Sequence, residues 1–259
     1  SKAWALKEIA VELAKAGHTQ KALLIFDDSV DVIRSISDDS LKTLALKDIA
    51  VELAKAGQFD KAVDVAGSIS DDFSKAEALK DIAVELAKTG QFNKAVNVAG
   101  SISDDSKKAW ALRYIASELA KAGQLDNALN VAGSISDDSK KASAFRDIVV
   151  ELAKAGQTQQ ALQIFDKAVN VARSISDDYK KAQALRDIAS ELAKAGQFDK
   201  AVNVAGYIDD YYKAETLKDI ASELAKAGQF DKAVNVAGSI SDDFSKAEAL
   251  KDIAVELAK

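Results

Sequence analysis

Cysteine, proline and methionine are all absent from this 259-residue chain. Without cysteine there are no disulfides and no thiolate metal ligands, and the redox compartment leaves no mark on the sequence. Proline usually makes up about 5% of a chain; here other residues must start and stop every element. Histidine occurs once, at His18, which leaves no second imidazole for a nucleophile–base pair or a histidine metal cluster. No apolar run approaches the roughly 18 residues needed to cross a bilayer, and no secretory signal opens the sequence. These absences give the expectation of a soluble, cytoplasmic protein. The missing methionine and the first residue, Ser1, give the further expectation of an excised or engineered chain.

What is present is apolar and charged material in quantity, 48% hydrophobic and 29% charged, with a net charge of −6. That is enough to build a core. The acidic balance disfavours broad attraction to nucleic acid or anionic lipid.

The chain repeats itself. Glu-Leu-Ala-Lys recurs from Glu12, Glu52, Glu85, Glu118, Glu151, Glu191, Glu223 and Glu256. A glycine follows at Gly17, Gly57, Gly90, Gly123, Gly156, Gly196 and Gly228, at spacings of 40, 33, 33, 33, 40 and 32. Such periods mark stacked supersecondary units. The 40-33-33-33 order restarts at the fifth unit, which suggests a duplicated four-repeat module.

Each unit holds two helical patterns. In the second, Leu46, Ile49, Ala50, Leu53 and Ala54 form the stripe of a first helix, A. Gly57 stands just past its end, where a left-handed residue closes a helix. Ala62, Val65, Ala66 and Ile69 mark a second helix, B, and Phe59 sits at the corner between them. Alanines such as Ala50, Ala54 and Ala62 fall where helices must approach closely. Ser74 followed by Glu77, and Ser245 by Glu248, read as capping boxes. The Asp-Asp pairs before them suit the helix dipole; these are Asp38-Asp39, Asp71-Asp72, Asp104-Asp105, Asp137-Asp138, Asp177-Asp178, Asp209-Asp210 and Asp242-Asp243. Calcium would need ligands at alternate positions and a glycine turn, which are missing.

The 40-residue units carry seven extra residues in helix B, Leu23 to Ser29 and Leu162 to Ala168. Seven residues turn a helix by about 700°, leaving the stripe only ~20° out of phase, and add about 10 Å. The insert therefore lengthens helix B without breaking its register. Arg34 and Arg173 stand where the short units have Gly67, Gly100 and Gly133.

This pattern resembles the tetratricopeptide repeat. Ala10, Gly17, Ala22 and Phe26 match that family's small and aromatic offsets, as do Ala161, Phe165 and Ala168 in the fifth repeat. Phe59, Phe92, Phe198 and Phe230 take its aromatic position after the glycine. The repeat-end proline is replaced by a Ser-Asp-Asp linker, and Leu6, Leu46 or Leu79 stands in place of its early tryptophan. The RNA-reading pentatricopeptide type resembles the chain less. The resemblance implies an all-α fold: a right-handed α-solenoid of antiparallel helix pairs, about seven hairpins plus a terminal unpaired helix. The repeats would span 3–42, 43–75, 76–108, 109–141, 142–181, 182–213 and 214–246, with the terminal helix at 247–259, all within one solenoid of residues 1–259.

The resemblance also implies that helix A lines a groove. One A position is basic in every unit: Lys7, Lys47, Lys80, Arg113, Arg146, Arg186, Lys218 and Lys251. Such a row suits an acidic peptide or a C-terminal carboxylate. Four residues on, where the family's carboxylate binders carry asparagine, the chain has Val11, Val51, Val84, Ser117, Val150, Ser190, Ser222 and Val255. The competing reading is a solvated face whose lysines pair with acids such as Asp48 and Glu52. Trp4 and Trp110 share an offset that is Leu44, Glu77, Ser143, Gln183, Glu215 or Glu248 elsewhere, which marks them as binding anchors or as residues tucked against a neighbouring hairpin. Tyr207, Tyr211 and Tyr212 cluster at the 32-residue unit, as a binding patch or as the repacking of a deletion. The last helix repeats Ser74 to Lys88 residue for residue, so it would present apolar groups to another copy's first helix or to further repeats.

Isolated glycines form no phosphate loop, and carboxylate pairs recur with the repeat where an active site would be unique. The sequence therefore implies no enzyme, cofactor or metal. It implies a scaffold that binds a protein or peptide, with an engineered array lacking a natural ligand as the alternative and single-stranded RNA binding as a weaker one.

Overall fold

A computed structural model describes residues 2–258, apart from the side chains of residues 2, 3, 19 and 158. Lys259, the last residue of the expected terminal helix, therefore lies outside the described residues, while His18 is described and exposed. Every regular element among the described residues is an α-helix.

The chain divides into two compact units, residues 1–131 and 132–259, the division falling within one helix. The first unit contains α1 (Lys2–Lys15), α2 (Thr19–Arg34), α3 (Asp39–Lys55), α4 (Phe59–Gly67), α5 (Asp72–Lys88), α6 (Phe92–Gly100) and α7 (Asp105–Lys121), with α8 (Leu125–Gly133) at the division. Odd-numbered helices are the A helices. Each hairpin, α1–α2, α3–α4 and α5–α6, packs internally, and α3, α5 and α7 pack in succession. The second unit contains α9 (Asp138–Lys154), α10 (Thr158–Ser174), α11 (Asp178–Lys194), α12 (Phe198–Ala205), α13 (Asp210–Lys226), α14 (Phe230–Gly238) and α15 (Asp243–Leu257). Its A helices α9, α11, α13 and α15 likewise follow one another, and each B helix also touches the next A helix. Within each unit the core is thus a run of three-helix contacts between nearest neighbours.

The residues explain this packing. Ile49, Ile82, Ile115, Ile148 and Ile220 are sealed from solvent, as are Ala50, Ala83, Ala116 and Ala221 beside them. Isoleucine fills the space between helices and alanine sets their approach. The A helices end in a two-bond closure. After α3, the Gln58 amide donates to the Leu53 carbonyl at 2.8 Å and the Gly57 amide to that of Ala54 at 2.9 Å. Gly57 has φ +77°, so only a residue without Cβ strain fits comfortably.

Helix starts depart from the capping-box expectation. The cap is Asp71, whose side chain accepts from the Ser74 amide at 2.7 Å; Ser74 is already in the first turn. Asp242 does the same for Ser245. Glu77 does not reach back to a cap but accepts from Lys80. The same aspartate cap opens α3, α7, α9, α11 and α13. A carboxylate satisfies an orphan amide and opposes the positive helix end together.

The seven-residue insert lengthens helix B as its phase requires: α2 has 16 residues and α10 has 17, against 9 in α4 and α6. The deletion in the 32-residue unit falls in the linker. Asp209 caps α13 through the Tyr211 amide, two residues on, and α13 keeps the 17 residues of its counterparts.

Candidate functional site

The basic row runs along the A helices, and the structure gives most of its members a partner on the following hairpin. In the first unit the Lys7 ammonium lies 3.9 Å from Asp48 and 3.4 Å from Glu8. It also sits 4.2 Å from the centre of the Trp4 ring. Trp4, Lys7 and Asp48 share one crevice with Ile33 and Ala45, so Trp4 is tucked partly against the next hairpin. Lys80 donates to Glu77 at 2.9 Å, lies 3.3 Å from Asp81, and is 5.2 Å from the centre of the Trp110 ring. Burial lowers its pKa, but Glu77 and Asp81 more than offset that and hold it above the ordinary lysine value. Lys47 is half-buried in a shallow depression of about 470 Å³ with Thr43, Leu44 and Ser74. Arg113 is half-buried and engaged with its surroundings.

In the second unit, Arg146 donates to Asp147 at 3.0 Å and to Asp187. Burial opposes its charge, yet the two carboxylates raise its pKa. Arg186 donates to Asp219 at 3.1 and 3.0 Å and lies 3.6 Å from Glu215. Lys218 bridges Glu248 at 3.0 Å and Glu215 at 3.1 Å, and hydrogen bonds to both, Glu248's first, raise its pKa. Lys251 is exposed.

A rule connects these contacts. The basic residue of one A helix meets the carboxylate one place after the next basic position, as at Asp48, Asp187 and Asp219. Otherwise it meets the residue three places before, as at Glu248 or Trp110. The row is therefore the seam between hairpins as well as an accessible face. A second row crosses the B helices, where Lys61 meets Asp27 at 2.8 Å and Lys94 meets Asp60 at 3.4 Å. Exposed pairs of this kind add little stability individually.

Trp110 differs from Trp4. Its indole is 48% exposed and stacks on Tyr114, with centroids 6.0 Å apart and planes at 15°. The tyrosine cluster of the second unit splits: Tyr207 lies under Arg173 at 4.3 Å, whereas Tyr211 and Tyr212 meet at 4.9 Å and Tyr212 reaches Tyr179 at 5.9 Å. Tyr179 belongs to this group but had not stood out in the sequence, because it lies a full repeat away.

Ala10, Ala22 and Phe26, and in the fifth repeat Ala161, Phe165 and Ala168, are all buried. The offsets that carried the sequence resemblance thus do the packing in each long hairpin. At these positions the repeat resembles the tetratricopeptide hairpin. No protein-family model and no curated protein matches the chain. Among solved structures the chain is similar to Ton1535 from Thermococcus onnurineus NA1, at 21% identity and a TM-score of 0.43 over 97% of this chain and 78% of that one. It is similar also to the nearly identical TPR-like repeats of a candidate kinesin light chain from Podosopora anserina, at 13% identity and a TM-score of 0.35 over 64% of this chain and 92% of that one. A third is a Rap protein complexed with competence and sporulation factor, at 16% identity and a TM-score of 0.35 over 96% of this chain and 78% of that one. Among the described residues the chain is built of helical hairpins packed on their neighbours within each unit. No helix among the described residues is long and apolar enough to cross a membrane.

Proposed function

We propose that this scaffold binds an extended peptide along the A helices of its first unit and has no catalytic activity. The observation that carries the reading is Trp110. A large aromatic ring, half-exposed and held on Tyr114 below an ammonium group, is placed as an anchor and is not needed by the core. Lys47, Lys80 and Arg113 flank it along the row and favour acidic side chains, with Lys7 and Trp4 extending the same face. Because Lys7 and Lys80 already hold carboxylates, a peptide acid competes with an internal one, and affinity rests on Trp110 more than on charge.

The test uses intrinsic fluorescence. Trp4 and Trp110 are the chain's two tryptophans, and both lie in the first unit. Titration with a glutamate-rich peptide gives a saturable emission change that Lys80→Glu weakens and added salt reduces. A lysine-rich peptide gives none. Equal response to both peptides, or no response to either, overturns the reading.

A second surface concerns self-association. The α15 helix repeats the sequence of α5, yet Val255 is 51% exposed where Val84 is 8% exposed. Leu250 and Leu257 are exposed beside it. We assign this face to the first helix of another copy.

A further inference from the structure

A groove of about 780 Å³ lies in the second unit, between α11, α13 and the start of α15. Its lining has the opposite character to the basic row. Five carboxylates, those of Asp187, Asp210, Glu215, Asp219 and Asp242, face one guanidinium, that of Arg186. Arg186 is itself taken by Asp219 and Glu215, and Asp187 by Arg146. Asp242 keeps its capping bond to the Ser245 amide, and Asp210 has only Lys213 at 3.8 Å. With Glu215 held by Lys218 as well, Asp210 and Asp242 are the carboxylates least neutralised by cations, beside the rings of Tyr179, Tyr211 and Tyr212.

The repeat itself indicates what belongs there. The second aspartate of each pair opens the helix, and two further first-turn positions follow it; where both side chains are long, the second of one repeat lies against the first of the repeat before. In the first unit these are Phe73 and Lys107, and the Lys107 ammonium stands 3.6 Å from the centre of the Phe73 ring. In the second unit Tyr212 takes the lysine's place and packs edge-on with Tyr179. One repeat further the pair is Tyr211 and Ser245. Serine is too short to cover a ring, and Tyr211 is left 83% exposed at the mouth of the groove. At three further places a cation covers an aromatic ring: Lys7 over Trp4, Lys80 over Trp110 and Arg173 over Tyr207. Here the ring is present, carboxylates to hold a cation are present, and the cation is missing.

We infer that this groove binds a lysine or arginine side chain of a basic peptide partner, in the place that Lys107 fills internally over Phe73. The cationic head packs on Tyr211, and Asp210 and Asp242 supply the counter-charge. A ring and a carboxylate together select a cation over a neutral side chain. The site is independent of the acidic-peptide reading of the first unit, since the two differ in location and in charge.

The test is isothermal titration of the full chain with tetra-arginine and tetra-lysine amides, with tetraglutamate as the control. The basic peptides bind and tetraglutamate does not. Tyr211→Ala weakens binding at least tenfold, whereas Tyr211→Phe retains it. The deciding variant is Ser245→Lys, which supplies the cation within the chain. Lysine already occupies this helix position at Lys107, Lys140 and Lys180, each with its amide on an aspartate cap, so the helix start tolerates it. Ser245→Lys fills the groove and abolishes binding. Ser74→Lys, at the same position in the first unit where the preceding repeat's first-turn residue is Ser40, adds equal charge and leaves binding intact. If Ser245→Lys and Ser74→Lys behave alike, or Tyr211→Ala binds as the parent does, the peptide is held by net charge alone and the inference fails. Tryptophan emission reports only on the first unit, so failure there leaves this result standing, and the reverse.

Discussion

One substitution, glycine to alanine, should change stability in opposite directions at two positions ten residues apart in the same hairpin. Gly57 has φ +77° and Gly67 lies in the last turn of α4 with ordinary helical geometry. A Cβ added at either would meet no atom within 4 Å, so sterics with neighbours do not enter. At Gly57 the backbone decides. Alanine in the left-handed region costs roughly 1–2 kcal/mol, which its lower unfolded-state entropy only partly offsets, leaving a net loss of about 1 kcal/mol. At Gly67 alanine is the better helix former and stabilises by about 0.5–1 kcal/mol. The chain itself carries Arg34 and Arg173 at the equivalent place. Gly100 and Gly238 are further copies with open space around them. Changing Gly67, Gly100 and Gly238 together should add, because they are well separated, to about 1.5–3 kcal/mol. Urea titration followed by far-ultraviolet circular dichroism reads the midpoints. Both substitutions shifting the midpoint the same way would refute the argument.

Ser29 is buried, and its hydroxyl has no hydrogen-bond partner. The fifth repeat has Ala168 there, fully buried, so Ser29→Ala should stabilise by about 1 kcal/mol in the same titration. Asp137→Ala removes the cap from the Lys140 amide and should cost about 1 kcal/mol. The carboxyls of Asp71, Asp104 and Asp242 are held below the ordinary aspartate value, chiefly by hydrogen bonds from Ser74, Lys107 and Ser245. A depressed folded-state pKa gives stability that is present above the unfolded value, about 4, and lost as pH falls through the folded one. Melting temperature should therefore fall below about pH 4, and less steeply once all three are Asn. Val84→Asp should cost about 3 kcal/mol or more by burying an unpaired charge, while Val255→Asp, in identical local sequence, should stay within about 0.5 kcal/mol. Val255→Asp should also reduce concentration-dependent association in analytical ultracentrifugation.

The fold was largely legible because each signal is local. An apolar stripe, a glycine past its end and an insert of whole turns are set by one helix at a time. The capping error shows where locality was not enough. Ser74-x-x-Glu77 and Asp71 compete for the same amides, and aspartate wins by accepting from the Ser74 amide itself, which extends the helix by most of a turn. The candidate site was half legible. Periodicity exposed the basic row, and Asp48 could be named as a partner. The contacts at Glu248 and Trp110 could not, since they depend on the offset at which neighbouring A helices pack. The tyrosine cluster was visible, but the groove exists because Ser245 is small, a feature that matters only once Tyr211 lies against it.

The account rests on that register, in which the cationic residue of one repeat meets an aromatic residue of its neighbour. Proton NMR of the lysine ε-methylenes measures it most directly, since a ring beneath an ammonium shifts them upfield. Lys107 over Phe73 and Lys80 over Trp110 should both be shifted, and should return to ordinary values in Phe73→Leu and Trp110→Leu respectively. Unshifted resonances in the parent protein, or shifts that survive those changes, would contradict the stacking on which both binding surfaces are built.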